Sequence, residues 1–176
     1  MIFHDTAIAG VYVIEPERLE DERGFFARMW SPAALDAKGL NPRIAHMSVS
    51  FNKRKGTLRG MHYQAEPMAE AKIVRCTQGA IHDVALDLRR DSPTFLRSVA
   101  CELTADNRRM LYIAEGLAHG LQTLRDDTEV LYAISLEYSP QHGRGVRWND
   151  PAFGIVWPDD IRTMNERDRS YPDFQR

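Results

Sequence analysis

Cysteine is scarce here: Cys76 and Cys101 are the only two in 176 residues. Two thiols make neither a disulfide framework nor a four-thiolate zinc site. Both fall on apolar strand-like parities, which fits inert core thiols better than nucleophiles. Charge of one sign is also missing, since 23 Lys and Arg meet 25 Asp and Glu for a formal charge of -2. Nothing global therefore draws the chain to nucleic acid or anionic membrane, which need a basic surplus or a basic face. No apolar run approaches the roughly 20 residues of a membrane-spanning helix. The opening MIFHDTAIAG has Asp and His where a secretory leader carries a basic end and a long apolar stretch, so the cytoplasm is the expected location. A phosphate loop, a GxGxxG turn and a GxSxG elbow are all absent.

What remains is an ordinary globular composition, 43% hydrophobic and 27% charged. A chain of this size buries roughly 70% of its extended surface, enough for a core. With no repeat, low-complexity tract or Ser/Gly linker, residues 1–176 are expected to form one domain. Short strand-like runs dominate. EVLYAISLEY (129–138) puts Val130, Tyr132, Ile134, Leu136 and Tyr138 on one parity, which predicts a half-buried strand over the whole run. IHDVALDL alternates Val84, Leu86 and Leu88 with Asp83, Ala85 and Asp87; SVACEL alternates Val99, Cys101 and Leu103 with Ser98, Ala100 and Glu102. KIVRC (72–76) and MLYIA (110–114) are shorter runs of the same kind. Turn chemistry at Gln78-Gly79, Asp91-Ser92-Pro93, Ala105-Asp106-Asn107, Glu115-Gly116, Asp126-Asp127 and Ser139-Pro140 recurs about every ten residues, which predicts an antiparallel sandwich or barrel. Helix is confined to two short pieces. One opens at the capping Ser31 with Pro32 in its first turn and runs to about Lys38; the other starts at Asn165 as a cap.

Four polar residues need explaining. In GTLRGMHYQ (56–64) an ideal strand sends Leu58, Gly60, His62 and Gln64 to one face and Arg59, Met61 and Tyr63 to the other. His62 among small and apolar neighbours is either a base or a core histidine bonded to backbone. Lys72 shares a parity with Val74 and Cys76; turned inward it needs an anion or a developing oxyanion, and otherwise it snorkels to water. His119 lies in EGLAHGL between small residues that let backbone approach a ligand. Tyr132 stands in the middle of an apolar parity, where its hydroxyl needs a partner. A metal site of the cupin kind needs two histidines two residues apart on one strand, a carboxylate and a distant third histidine. Here the first motif reads His62-Tyr63-Gln64. Glu66 and Glu70 offer oxygen, His119 the distant imidazole, and His82 opens a different strand. Two strong nitrogen ligands stand where three are wanted, so no metal and no other cofactor is expected.

Taken together, DERGFF (21–26), GTLRGMHYQ, KIVRC, DVALDLRRDSPTF (83–95), EGLAHGL (115–121), EVLY (129–132) and WNDPAFGIVWP (148–158) resemble the dTDP-4-dehydrorhamnose 3,5-epimerase family, in order and in spacing, from about residue 3 to 170. The resemblance implies a mainly β, cupin-like jelly-roll barrel with a few short helices, working as a homodimer on a nucleotide sugar. It implies inversion at C3 and C5 of dTDP-4-dehydro-6-deoxy-D-glucose, without a metal. A carbon next to a ketone releases its proton only if charge building on the C4 oxygen is stabilised, and inversion needs a base on one face and a donor on the other. By the same resemblance His62 is the base, Asp168 its orienting carboxylate, Lys72 the cation at the C4 oxygen and Tyr132 the opposite donor. Arg59 and His119 match positions on the pyrophosphate side, and Arg23 matches a diphosphate contact from across the dimer. Phe26 and Tyr138 match aromatic positions near the sugar and the base.

Arg59 and His62 have opposite parity on an ideal strand, so a bulge near Gly60 or an edge position for Arg59 is required. Three stretches depart from the family pattern. His46-Met47-Ser48-Val49-Ser50 replaces a Gln-x-Asn-x-Ser stretch, Gln141-His142-Gly143-Arg144 lacks an acidic residue, and Leu117 and Leu121 stand where phenylalanine is frequent. They leave nucleotide identity and single C3 inversion open. The alternatives are a 3-epimerase or 3,4-ketoisomerase of another nucleotide deoxysugar and, from other classes, a metal-dependent cupin oxygenase or isomerase and a non-catalytic sugar-binding barrel.

Overall fold

The computed structural model describes residues 1–175. Thirteen strands and two short helices follow in order: β1 Ile2–Asp5, β2 Val11–Glu15, β3 Arg18–Asp21, β4 Gly24–Ala27, α1 Pro32–Asp36, β5 His46–Asn52, β6 Leu58–Gln64, β7 Lys72–Gln78, β8 Ala80–Asp87, β9 Ser98–Thr104, β10 Met110–Ile113, β11 Leu117–Thr123, β12 Thr128–Ile134, β13 Gly143–Gly145 and α2 Glu166–Arg169. Eleven strands form two antiparallel sheets, β1-β2-β10-β7-β12-β5 and β13-β6-β11-β8-β9, while β3 and β4 make a separate hairpin. The mainly β, cupin-like jelly-roll class holds. Both helices begin at the expected caps: Ser31 accepts from the Ala34 amide at 3.4 Å, and Asn165 from the Asp168 amide at 2.7 Å.

Val74, Cys76, Ile81, Ala85, Leu103, Leu111, Leu121 and Val130, contributed by both sheets, close the interior. The outer face of the five-stranded sheet is apolar as well, because Met61, Val84, Leu86 and Ala118 pack under Val146 and Phe153 of the C-terminal segment. Strand β8 is thus buried on both faces, and its Asp83 and Asp87 are fully enclosed. Asp87 is satisfied by Arg89, Ser92 and Thr94. Burial alone would raise its carboxyl, but these hydrogen bonds hold it far below the ordinary carboxylate range.

One expectation is corrected and another is met. Strand β12 ends at Ile134 and does not reach Tyr138, because the next residues find other partners. The Ser135 amide donates to the Ala71 carbonyl and its hydroxyl accepts from the Ala71 amide at 2.8 Å; the Gln64 side chain then takes the Ser139 amide at 2.6 Å and donates to the Glu137 carbonyl at 3.2 Å. Strand β6 carries the bulge that the opposed parities of Arg59 and His62 required. Its pairing with β11 advances from His62 to Arg59 while β11 advances only from His119 to Leu121, one extra residue on β6. Gly60 supplies the bend at φ +114°, where a Cβ would lie 2.6 Å from the His119 carbonyl oxygen. The bulge turns Arg59 and His62 to the same side.

Candidate active site

A cavity of about 350 Å³ opens between the two sheets. His62 stands on its β6 wall, with Nε2 2.7 Å from Asp168 Oδ1. The other Asp168 oxygen accepts the Gly60 amide at 3.0 Å, so both carboxylate oxygens of this fully buried residue are engaged. Burial raises the Asp168 carboxyl, but the His62 hydrogen bond, the Gly60 amide and the nearby His62 and Arg167 charges outweigh it and bring it below the usual value. Asp168 arrives from 106 residues away because the chain before α2 runs beside β6: the Leu58 amide donates to the Thr163 carbonyl and the Arg162 amide to the Gly56 carbonyl. Tyr171 then packs edge-on to His62, ring centroids 6.4 Å apart, and lies so close to Gly145 that a Cβ there would meet its ring.

On the facing wall, the Tyr132 hydroxyl shares a hydrogen bond with Ser50 Oγ at 3.2 Å. Burial pushes its phenol up to about 12, so it holds its proton at neutral pH. Lys72 is buried at the start of β7 and pairs with Glu70, which also accepts from Gln64 Nε2 at 2.8 Å. The anion that an inward Lys72 meets is Glu70, two residues earlier.

His119 is the Cα partner of His62 across β11 and β6. Its Nε2 lies 2.7 Å from Asp83 Oδ1, and its ring meets Tyr132 edge-on at 6.1 Å between centroids. Arg59 lines the cavity with Nε donating to Asn52 Oδ1 at 2.6 Å. Tyr138 borders the mouth from the loop after β12. Asp83, Asn52, Ser50 and Glu70 are site partners that sequence reasoning missed in these roles.

Two expected site residues are not brought to this cavity by their own chain. Arg23 sits in the exposed β3–β4 hairpin, its guanidinium 2.6 Å from Asp21, and Phe26 is 69% exposed on β4. Of the oxygen and nitrogen donors considered for a metal, Glu66 is exposed outside the cavity and His82 packs against Trp157 at 6.1 Å on the sheet's outer face. Among the described residues no three His, Cys, Asp or Glu side chains converge on one point.

One cavity thus joins an imidazole oriented by a carboxylate, a protonated phenol on the opposite wall and a buried ammonium. A carbon acid placed between the walls could lose a proton to one side and regain one from the other, with the ammonium facing an adjacent oxygen.

Comparison with known proteins gives a consistent picture. The family model described as dTDP-4-dehydrorhamnose 3,5-epimerase matches residues 5–176. The chain is 39% identical over 173 residues to the dTDP-4-dehydrorhamnose 3,5-epimerase of Sinorhizobium fredii, covering 98% of this chain and 89% of that protein. Its fold superposes with a TM-score of 0.93 on the Bacillus anthracis dTDP-4-dehydrorhamnose 3,5-epimerase solved with TDP and PPi bound, at 37% identity and covering 98% and 99% of the two chains. It also matches ChmJ, a 3'-monoepimerase from Streptomyces bikiniensis solved with dTDP-quinovose, with a TM-score of 0.88, 32% identity and coverage of 97% and 86%.

Proposed function

Because the chain belongs to the dTDP-4-dehydrorhamnose 3,5-epimerase family, we propose that this cavity takes dTDP-4-dehydro-6-deoxy-D-glucose and inverts C3 and C5 by proton exchange. His62 is the base. With Nε2 engaged by Asp168, Nδ1 is the ring nitrogen left to accept the carbon-bound proton, and the ionised carboxylate favours that tautomer and steadies the imidazolium that forms. Lys72 meets the C4 oxygen as the enolate develops, which supplies by a fixed charge what a metal would otherwise provide. Tyr132 returns a proton from the opposite face. Repetition of the cycle at the second carbon, after the ring turns, completes the double inversion.

Arg59 and Tyr138 hold the nucleotide side, and His119 contacts the substrate through the ring nitrogen that Asp83 leaves free. Arg23 and Phe26 act on the cavity of a second copy. The solvent-facing β3–β4 hairpin supports this reading, as do the exposed apolar Met47, Val49 and Phe51 on β5, next to the cavity and at the sheet edge. The working form is then a homodimer.

The observation that carries the reading is the His62–Asp168 pair facing Tyr132 across a cavity that also holds Lys72. Incubation with dTDP-4-dehydro-6-deoxyglucose in deuterated water, read by mass and NMR, tests it. Deuterium at both C3 and C5 is the expected result. Deuterium at C3 alone selects the second reading, a 3-epimerase, which the similarity to the Streptomyces bikiniensis monoepimerase favours. Binding without exchange at either carbon overturns both.

A further inference from the structure

Strand β5 carries its polarity the wrong way round. Met47, Val49 and Phe51 turn their apolar side chains to solvent, while Ser50 and Asn52 face inward. An inward polar parity on a strand is disfavoured unless those groups are used. Both are used. Asn52 accepts from Arg59 Nε at 2.6 Å and is itself fixed by donation to the Thr128 carbonyl at 3.1 Å. Ser50 is the hydrogen-bond partner of the Tyr132 hydroxyl. Ser48, directly opposite Tyr132 in the β5–β12 ladder, is exposed and also lines the cavity, so this strand leads from solvent to the phenol.

We infer that Ser50 is the positioning residue that aims the Tyr132 hydroxyl and reloads it with a proton after each transfer, an assignment that rests on the epimerase reading above. When Tyr132 delivers its proton, a C–H bond forms as the phenol O–H breaks, leaving a phenolate. The Ser50 hydroxyl donates its proton to that phenolate as it takes one from water at the cavity mouth. The hydroxide formed is neutralised by the proton that His62 removed from carbon and releases to solvent, so the cycle leaves no net charge. A serine suits this place because one hydroxyl both gives and accepts a hydrogen bond.

The test compares wild type, Ser50→Ala and Ser50→Thr with dTDP-4-dehydro-6-deoxyglucose in deuterated water. Ser50→Ala is expected to lower kcat for net inversion about tenfold and hold KM within about twofold, the pattern of an interaction needed in the transition state and not in binding. Deuterium wash-in continues, since His62 is untouched. Ser50→Thr keeps the hydroxyl on a strand-compatible side chain and recovers most of the loss. Three results overturn the assignment: an unchanged kcat in Ser50→Ala, equal loss of wash-in and inversion, or no recovery in Ser50→Thr. Wild type that exchanges no deuterium at either carbon overturns the epimerase reading itself, and the role of Ser50 with it.

Discussion

The cavity contains two His–Asp pairs of equal length, and they differ in nearly everything else. In both, imidazole Nε2 and a carboxylate Oδ1 are 2.7 Å apart, and both aspartates are fully buried. Yet the His62 side chain is 40% exposed, against 7% for His119. Asp168 has its second oxygen on the Gly60 amide, whereas the second oxygen of Asp83 is buried with no hydrogen-bond partner among the described residues. Asp168 arrives on a short helix late in the chain; Asp83 comes from β8, the strand next to His119. Under the proposed mechanism the same pair of side chains is an open, fully anchored base in one case and an enclosed part of the wall in the other. Access and the engagement of both carboxylate oxygens separate the two roles, not the length of the hydrogen bond.

The largest effect that sharpens this contrast is expected from His62→Ala. Loss of the base should cut deuterium exchange by about 10³-fold or more while calorimetry still shows dTDP binding. His119→Ala should lose less, about 10- to 100-fold, and raise KM as well; equally deep losses in both variants would break the comparison. Next in size, Tyr132→Phe should reduce net inversion about 10²-fold and initial proton loss far less, since it removes the donor and leaves the acceptor. Equal loss of both would give Tyr132 another role.

Smaller again is the carboxylate exchange. Asp168→Asn should lower kcat about 30-fold through the wrong tautomer at His62, and Asp83→Asn only a few-fold, about the worth of one neutral hydrogen bond. Steady-state kinetics of the two variants decide this. The smallest effect is on stability in acid. The folded carboxyl of Asp168 lies below its unfolded value, so its contribution is fully present above about pH 4 and is lost as the pH falls through the folded value. Thermal unfolding followed below pH 4 should therefore show a shallower loss in Asp168→Asn than in wild type. An identical slope would mean that another carboxylate, such as Asp87, carries the acid response.

Periodicity and turn chemistry exposed most of the framework, because alternation on β7, β9 and β12 follows one buried face. Tyr132 was legible for that reason: a hydroxyl in the middle of an apolar parity must meet a partner. Asp83 was not. On β8 the parity of Val84 and Leu86 is buried as well, under a segment more than sixty residues later, and alternation cannot reveal that both faces are covered. The opposed parities of Arg59 and His62 called for an irregularity, and Gly60 marked its place. Tyr138 was assigned to a strand that stops earlier, since the competing bonds of Ser135 and Gln64 come from distant sequence. Asp168 could be linked to His62 only through family resemblance, because no local pattern joins residues so far apart.

The late arrival of α2 also bears on how the protein comes into being. Every strand of both sheets lies at or before Gly145 in the chain, whereas Asn165, Arg167 and Asp168, which also line the cavity, come after it. The carboxylate that His62 meets is among them. The cavity is therefore incomplete until the C-terminal segment has packed, and truncation before Asn165 should remove both the carboxylate partner of His62 and part of the wall that a ligand would meet.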